Sequence, residues 1–356
     1  YAIMWHLTLT TKSGLVLALA AVFGFLPQAI VSIFAGVWAD RVNRKMMIIV
    51  SDSVIALATL VLAIFMLSGV EDLWLIFLIM AVRSIGAGVQ MPAISALVPQ
   101  IVPTDKLLTV NGINSSISSS LQLLAPVAAA AVYSTMSLSA ILFIDVVTAV
   151  IGLSLLATVA VPTLARVSNE DKPSYFADLK EGMAYIFSNQ LVRWVMAIFA
   201  IIFLLIVAPS NLSPLMIART FGGEVWMLTV LELSFGVGML IGGALIAVFA
   251  KKIDRIGMII GSSILFGILA TAMGFTTNLV LFFALFFVVG IAVPAFSTSA
   301  MTLLQETVEP ERQGRVFGFL GIVMAVAMPL GMSILGPLAD VVSVEILLIV
   351  TGIATV

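Results

Sequence analysis

The chain has 356 residues, 62% hydrophobic and only 10% charged, whereas a soluble domain is about half apolar and about a quarter charged. A formal net charge of −2 gives nucleic acid no handle, the lack of cysteine removes disulfide and thiol chemistry, and one histidine cannot build a usual metal site. Composition therefore points to an integral membrane protein without metal or cofactor.

The apolar runs are continuous rather than alternating. That favours membrane helices over a lipid-facing barrel. A span needs roughly 20 apolar residues, and the chain reads as twelve spans, the first and last truncated. Span 1 ends near Thr10, within a short apolar segment starting at Tyr1. Span 2 covers Gly14 to Trp38, span 3 Met46 to Leu67, and span 4 Trp74 to Val98. Pro99 to Lys106 reads as a loop, followed by span 5, Leu107 to Tyr133, and span 6, Ser139 to Val161. Pro162 to Gln190 is a polar linker whose Tyr175–Phe187 portion is amphipathic and suited to the membrane interface. Spans 7 to 10 read as Leu191–Ala218, Trp226–Ala250, Gly257–Phe275 and Leu279–Leu304. Span 11 reads as Arg315–Ala339, and span 12 begins near Val344. The expected fold is all-α, with bundles at 1–161 and 191–356 joined by the linker 162–190.

Basic residues set the orientation. Arg41, Arg44, Lys45, Lys106, Arg166, Lys172, Lys180, Lys251, Lys252, Arg255 and Arg312 fall in one set of loops, but only Lys12 and Arg219 in the other. The first set is cytoplasmic by the positive-inside rule, and an even number of spans puts both termini there.

The halves repeat. Ala39–Ile49 aligns without gaps to Ala250–Ile260, and Val102–Gly112 parallels Val308–Gly318. Parallel halves joined by a polar linker are a transporter pattern, with the substrate site between them near the midplane.

Gly36 to Lys45, Gly-Val-Trp-Ala-Asp-Arg-Val-Asn-Arg-Lys, interrupts two apolar runs. It resembles the cytoplasmic signature Gly-x-x-x-Asp-Arg-x-Gly-Arg-Arg/Lys of the major facilitator superfamily. Gly36, Asp40, Arg41, Arg44 and Lys45 match, and Asn43 replaces the second glycine. Asn tolerates the left-handed conformation, so a turn there is expected to survive. Arg83-Ser-Ile-Gly-Ala-Gly88 is similar to the family's span 4 signature. Gly24–Pro27, Phe176–Gly182, Glu232–Gly243, Gly314–Gly318, Ala327–Gly331 and Gly336–Asp340 are most similar to the macrolide-efflux group of proton-coupled drug exporters. Of the family's glycine-rich span 5 signature, Gly112 and Pro126 are retained.

The resemblance implies a multi-pass transporter of a prokaryotic plasma membrane, expected to be monomeric. It would export amphipathic drugs in exchange for protons. A lysophospholipid translocase of the same fold is the alternative. No nucleotide-binding loop or nucleophile–base pairing appears, so neither an ATP-driven pump nor an enzyme is expected. The resemblance also implies an inner gate in which Asp40 meets the start of span 11. Gly36, Asp40, Arg41, Arg44 and Arg315 would form that gate, with Asp40 favoured by the helix dipole.

Charges inside a bilayer cost about 2.5–3.5 kcal/mol and usually mark function. At about 1.5 Å per residue, Arg83 lies roughly 13 Å from the outer end of span 4. Asp145, Glu232 and Asp52 lie roughly 9–10 Å into spans 6, 8 and 3. Asp145 and Glu232 are the candidate proton carriers, with Arg83 coupled to them. Simple pairing with a neighbouring helix is the competing reading for each charge, and it suits Asp145 and Asp52 best. Arg83, Gln90, Asn114, Ser118, Gln122, Asn211 and Ser297 are the candidate substrate contacts, with interhelical hydrogen bonding the competing role. His6 reads as an interfacial hydrogen-bonding residue, and Gly238-Met-Leu-Ile-Gly242 as a helix-packing motif.

Overall fold

The computed structural model describes residues 2–161, 183–249 and 254–356. Most of the expected linker, 162–182, lies outside them. All regular elements among the described residues are helical. They are α1 (Ala2–Thr11), α2 (Gly14–Arg41), α3 (Arg44–Leu67), α4 (Leu73–Ile101), a 3-10 turn (Thr104–Lys106), α5 (Leu107–Thr135) and α6 (Leu138–Thr158). There follow α7 (Gln190–Leu205), a π turn (Ala208–Leu212), α8 (Ser213–Thr220), α9 (Val225–Phe249), α10 (Arg255–Phe275), α11 (Leu279–Thr307), α12 (Pro310–Val341) and α13 (Val344–Thr355).

Nine helical stretches among the described residues are long and apolar enough to cross a membrane, and α7, the π turn and α8 make up one of them, Gln190–Thr220. α5 is a tenth when its two halves, bent by 40°, count as one span. The bend has a cause in the sequence. Pro126 cannot donate to the carbonyl of residue 122, and the break falls between Leu121 and Leu123. α1 and α13, of 10 and 12 residues, stand where the first and twelfth spans were expected.

Two expectations about the turns before α3 and α12 need correction. α2 runs through the charged motif to Arg41, so only Val42 and Asn43 separate it from α3. Asn43 is not left-handed. It has φ −64° and ψ 112°, and its side chain accepts the Met46 N–H as the N-cap of α3. α12 starts at Pro310, not at Arg315. Proline lacks a donor and fits the first helical turn, where no intrahelical partner exists for one.

By contacts the chain forms two units. One comprises Tyr1–His6 and Leu19–Asn169, the other Leu7–Ala18 and Glu170–Val356. In the first, Met47 and Ile48 of α3 pack with Ala93 and Leu97 of α4. Gly86 lets α4 approach closely, since a methyl there would strike Ile55 of α3. In the second, a core of Val192, Phe199, Ile259, Phe296, Ala300 and Leu304 joins α7, α10 and α11. Gly238 and Gly242 do pack as a small-residue pair, because a methyl on either would strike the backbone of Phe287 or Ile291 on α11.

The repeat extends to capping. Asn43 caps α3 and Asp254 caps α10, at the same separation as Arg44 from Arg255 and Ser51 from Ser262. Lys12 and Gly223 share that separation and both have positive φ, 48° and 74°. Further on, Asp72 and Asn278 cap α4 and α11, and Ser137 and Ser343 cap α6 and α13, again at one separation.

Candidate functional site

α3 and α4 run antiparallel and are tied by two polar rungs seven residues apart. Seven residues are nearly two helical turns, so Arg83 and Gln90 lie on one face of α4, and Asp52 and Thr59 on one face of α3. Arg83 donates through Nη1 to Thr59 Oγ1, and Gln90 donates through Nε2 to Asp52 Oδ1. Thr59 is buried and in turn donates to the Ile55 carbonyl at 2.8 Å, which fixes its hydroxyl as an acceptor for Arg83.

Arg83 also binds across to α6. Its Nη1 lies 2.7 Å from Asp145 Oδ2, with 28% and 47% of the two side chains exposed. The protein of this unit therefore does not seal the pair. The structure brings together two of the three expected coupling residues, Arg83 and Asp145. It also pairs Asp52 with Gln90, the neighbour-helix role that suited Asp52.

Glu232 belongs to the other unit, on α9, one residue after the fully buried Leu231. Its side chain is half-buried, and no hydrogen bond or ion pair links it to another described residue. It differs in this from Arg83, Asp145 and Asp52.

The remaining candidates are dispersed. Asn114 and Ser118 are exposed on α5, whereas the side chain of Gln122 lies outside the described residues. Asn211 sits in the π turn, a break in regular helix of a kind that recurs at functional sites. Ser297 lines a small pocket of about 30 Å³ with Phe203, Phe266 and Phe296, between α7, α10 and α11. His6 Nδ1 lies 3.3 Å from the Tyr133 hydroxyl, the bonding role expected of it.

Gly36, Asp40, Arg41 and Arg315 of the expected gate fall outside the described side chains, and Arg315 is past the first turn of α12. Arg44 is described. It donates to the Ala96 carbonyl at 2.8 Å and reaches Gln100 Oε1 at 3.5 Å. Its repeat counterpart, Arg255, holds Glu306, the counterpart of Gln100, by two hydrogen bonds of 2.8 and 2.6 Å. Arg44 thus ties the start of α3 to the end of α4, as Arg255 ties the start of α10 to the end of α11.

Two groups of polar contacts were not foreseen from the sequence. In the sequence Thr59 is one small residue within the apolar span 3. Asp340 and Arg219 stood out only as part of a motif and as an outer-loop base, yet they meet at 2.6 Å.

The sequence profile of the Major Facilitator Superfamily matches residues 1–257 and 225–356. Macrolide efflux protein A of Streptococcus pyogenes is 34% identical over 355 residues, 99% of this chain and 87% of that protein. The protein of the same name from Enterococcus faecalis is 34% identical over 324 residues, 90% of this chain and 99% of that protein. Among solved structures, the nucleoside transporter NupG matches with a TM-score of 0.68 at 16% identity, covering 99% of this chain and 93% of that one. A bacterial homologue of the iron transporter ferroportin in the inward-facing state matches with a TM-score of 0.69 at 16% identity, covering 99% and 92%. The structural likenesses concern the fold.

Proposed function

The chain belongs to the Major Facilitator Superfamily, and from that premise we propose that it exports amphipathic, macrolide-like drugs in exchange for protons by alternating access. The observation that carries this reading is the 34% identity to Macrolide efflux protein A across 99% of the chain. The relation is to whole proteins, not to a shared fragment.

The chemistry of the candidate residues fits the reading. A proton-coupled exporter needs a carboxylate that gains and loses a proton as the cavity changes sides. Glu232 has no competing partner among the described residues and is the first choice. Asp145 is the second. Its charge is balanced by Arg83 at 2.7 Å, so protonating it would first have to loosen that pair. Asn114 and Ser118, exposed on a bent membrane helix, can hydrogen-bond an amphipathic substrate from the first half, and Asn211 and Ser297 from the second. Residues 1–161 and 191–356 would be the two rocking bundles and 162–190 the cytoplasmic linker. Both termini would face the cytoplasm of a bacterial cell, and the working unit would be a monomer.

The test uses purified protein in liposomes with an internal pH dye and an imposed proton gradient. Macrolides, cationic dyes and lysophospholipids are added in turn. Proton movement that depends on a macrolide supports the proposal. Lysophospholipid movement indifferent to the gradient, with no drug-dependent proton flux, replaces it with lipid translocation.

A further inference from the structure

A dense polar cluster lies in the second unit, where the α1–α2 turn and the ends of α8 and α12 meet. Its centre is the Asp340 carboxylate in the last turn of α12. Asp340 Oδ1 accepts the Gly14 N–H at 2.7 Å, and Oδ2 accepts the Leu15 N–H at 2.8 Å and the Ser13 hydroxyl at 2.9 Å. The carboxylate thus caps the N-terminus of α2, where orphan N–H groups and the helix dipole favour an anion. Arg219, in the last turn of α8, donates to Asp340 Oδ1 at 2.6 Å. The same guanidinium donates twice to the Lys12 carbonyl, at 2.9 and 2.6 Å, and once to the Ala339 carbonyl at 2.5 Å. One arginine therefore ties the α1–α2 turn to the end of α12.

Backbone contact reinforces the cluster. Gly14 and Gly336 sit so close that a methyl on Gly14 would strike the Gly336 carbonyl, and one on Gly336 would strike Ala18. Lys12 takes a positive φ of 48°, uncommon for a side chain of its size, and thereby aims its carbonyl at Arg219. Thr220, next to Arg219, donates to Glu345 at the start of α13 at 2.8 Å. The repeat does not reproduce the cluster. The counterpart of Asp340 is Ser134, and the counterpart of Arg219 is Thr8. General fold geometry would give both halves the same contact, so this one is particular to one half.

We propose that Asp340 and Arg219 form an outer latch that clamps the first turn of α2 onto α12 and must release before the protein opens to the outside. The inference rests on the transporter reading above, because a latch matters only in a protein that alternates. Charge-assisted hydrogen bonds are the strong ones, and here one carboxylate takes four donors and one guanidinium gives to three acceptors. Asp340 binds Ser13, Gly14, Leu15 and Arg219 at once, so it is the residue to remove.

The chain has no cysteine, so an introduced one reports without background. Leu17, one turn below the latch and 2% exposed, becomes the reporter as Leu17→Cys. Thr135→Cys, exposed at the end of α5, is the control. Both are labelled in intact cells with a maleimide that cannot cross the membrane. Asp340→Asn removes the charge and turns one oxygen, which accepts two of the four donors, into a donor, so it should speed labelling at Leu17→Cys by about tenfold or more, tenfold being the change expected from a single charge-assisted hydrogen bond. The control should not change. Arg219→Lys keeps the charge but loses the planar fork, and should give a smaller change in the same direction. Unchanged labelling in both variants would overturn the latch, and so would equal acceleration of reporter and control, which would mean general loosening. The readout needs no substrate. Drug export can therefore fail its own test and leave the latch standing, and the reverse also holds.

Discussion

Arg83 on α4 lies 2.7 Å from Asp145 on α6, so two charges that each read as a functional candidate in the sequence neutralise one another. In hydrocarbon an unpaired charge costs about 2.5–3.5 kcal/mol on insertion scales. Removing one partner should therefore harm the protein more than removing both. Asp145→Asn and Arg83→Gln are each expected to lower thermal stability in detergent, and the double variant to recover most of the loss. Size-exclusion chromatography after graded heating measures this. Additive losses would mean that the two side chains do not depend on each other. If Asp145 also carries the proton, the stable double variant will still bind drug but no longer couple it to the gradient.

Packing of α9 on α11 gives a sharper stability prediction. Gly238 and Gly242 leave no room for a methyl, whereas Gly243, on the same helix, has nothing within 4 Å. Overpacking costs about 1–3 kcal/mol. Gly238→Ala should reduce yield and thermal stability clearly, and Gly243→Ala should match the parent or slightly exceed it through better helix propensity. Equal behaviour of the two would contradict the close approach of the helices.

Much of this was legible in the sequence because the bilayer imposes long apolar helices with charged turns. The repeat at Arg44 and Arg255 could be read by eye, and it proved to carry equivalent caps at Asn43 and Asp254. Helix ends were harder. Propensity alone does not reveal that α2 continues through Asp40 and Arg41, or that Pro310 opens α12. Partners across space were hardest. Nothing local to Thr59 says that it faces Arg83, because that depends on how α3 and α4 settle around Gly86. Asp340 and Ser13 are far apart in the chain, so no periodicity could join them.

The Asn43 cap yields a test of the turn after the charged motif. The side chain accepts the Met46 N–H from an extended backbone, so the position needs a capping acceptor and not a flexible residue. Asn43→Asp should leave stability within a few tenths of a kcal/mol, and Asn43→Ala should cost about 1 kcal/mol. If the cap governs, the glycine of the family signature should fall between the two when placed here. Thermal denaturation of the three variants ranks them, and glycine on top would point to a left-handed turn instead.

Glu232 separates the cost of a charge from its use. It sits in the apolar α9 without a partner among the described residues, so an ionised side chain there is expensive. Glu232→Gln keeps the shape and removes the charge. Were Glu232 only a structural residue, the change would raise thermal stability and leave transport intact. If Glu232 is the coupling carboxylate, stability rises but drug-dependent proton flux falls to background, while downhill drug movement continues. Asp52→Asn is the matched comparison. Asparagine can still accept from Gln90, so that variant should keep both stability and coupling. Liposome flux measured with and without a pH gradient distinguishes these outcomes. Intact coupling in Glu232→Gln would shift the proton to Asp145, where Arg83 would have to let go of it in every cycle.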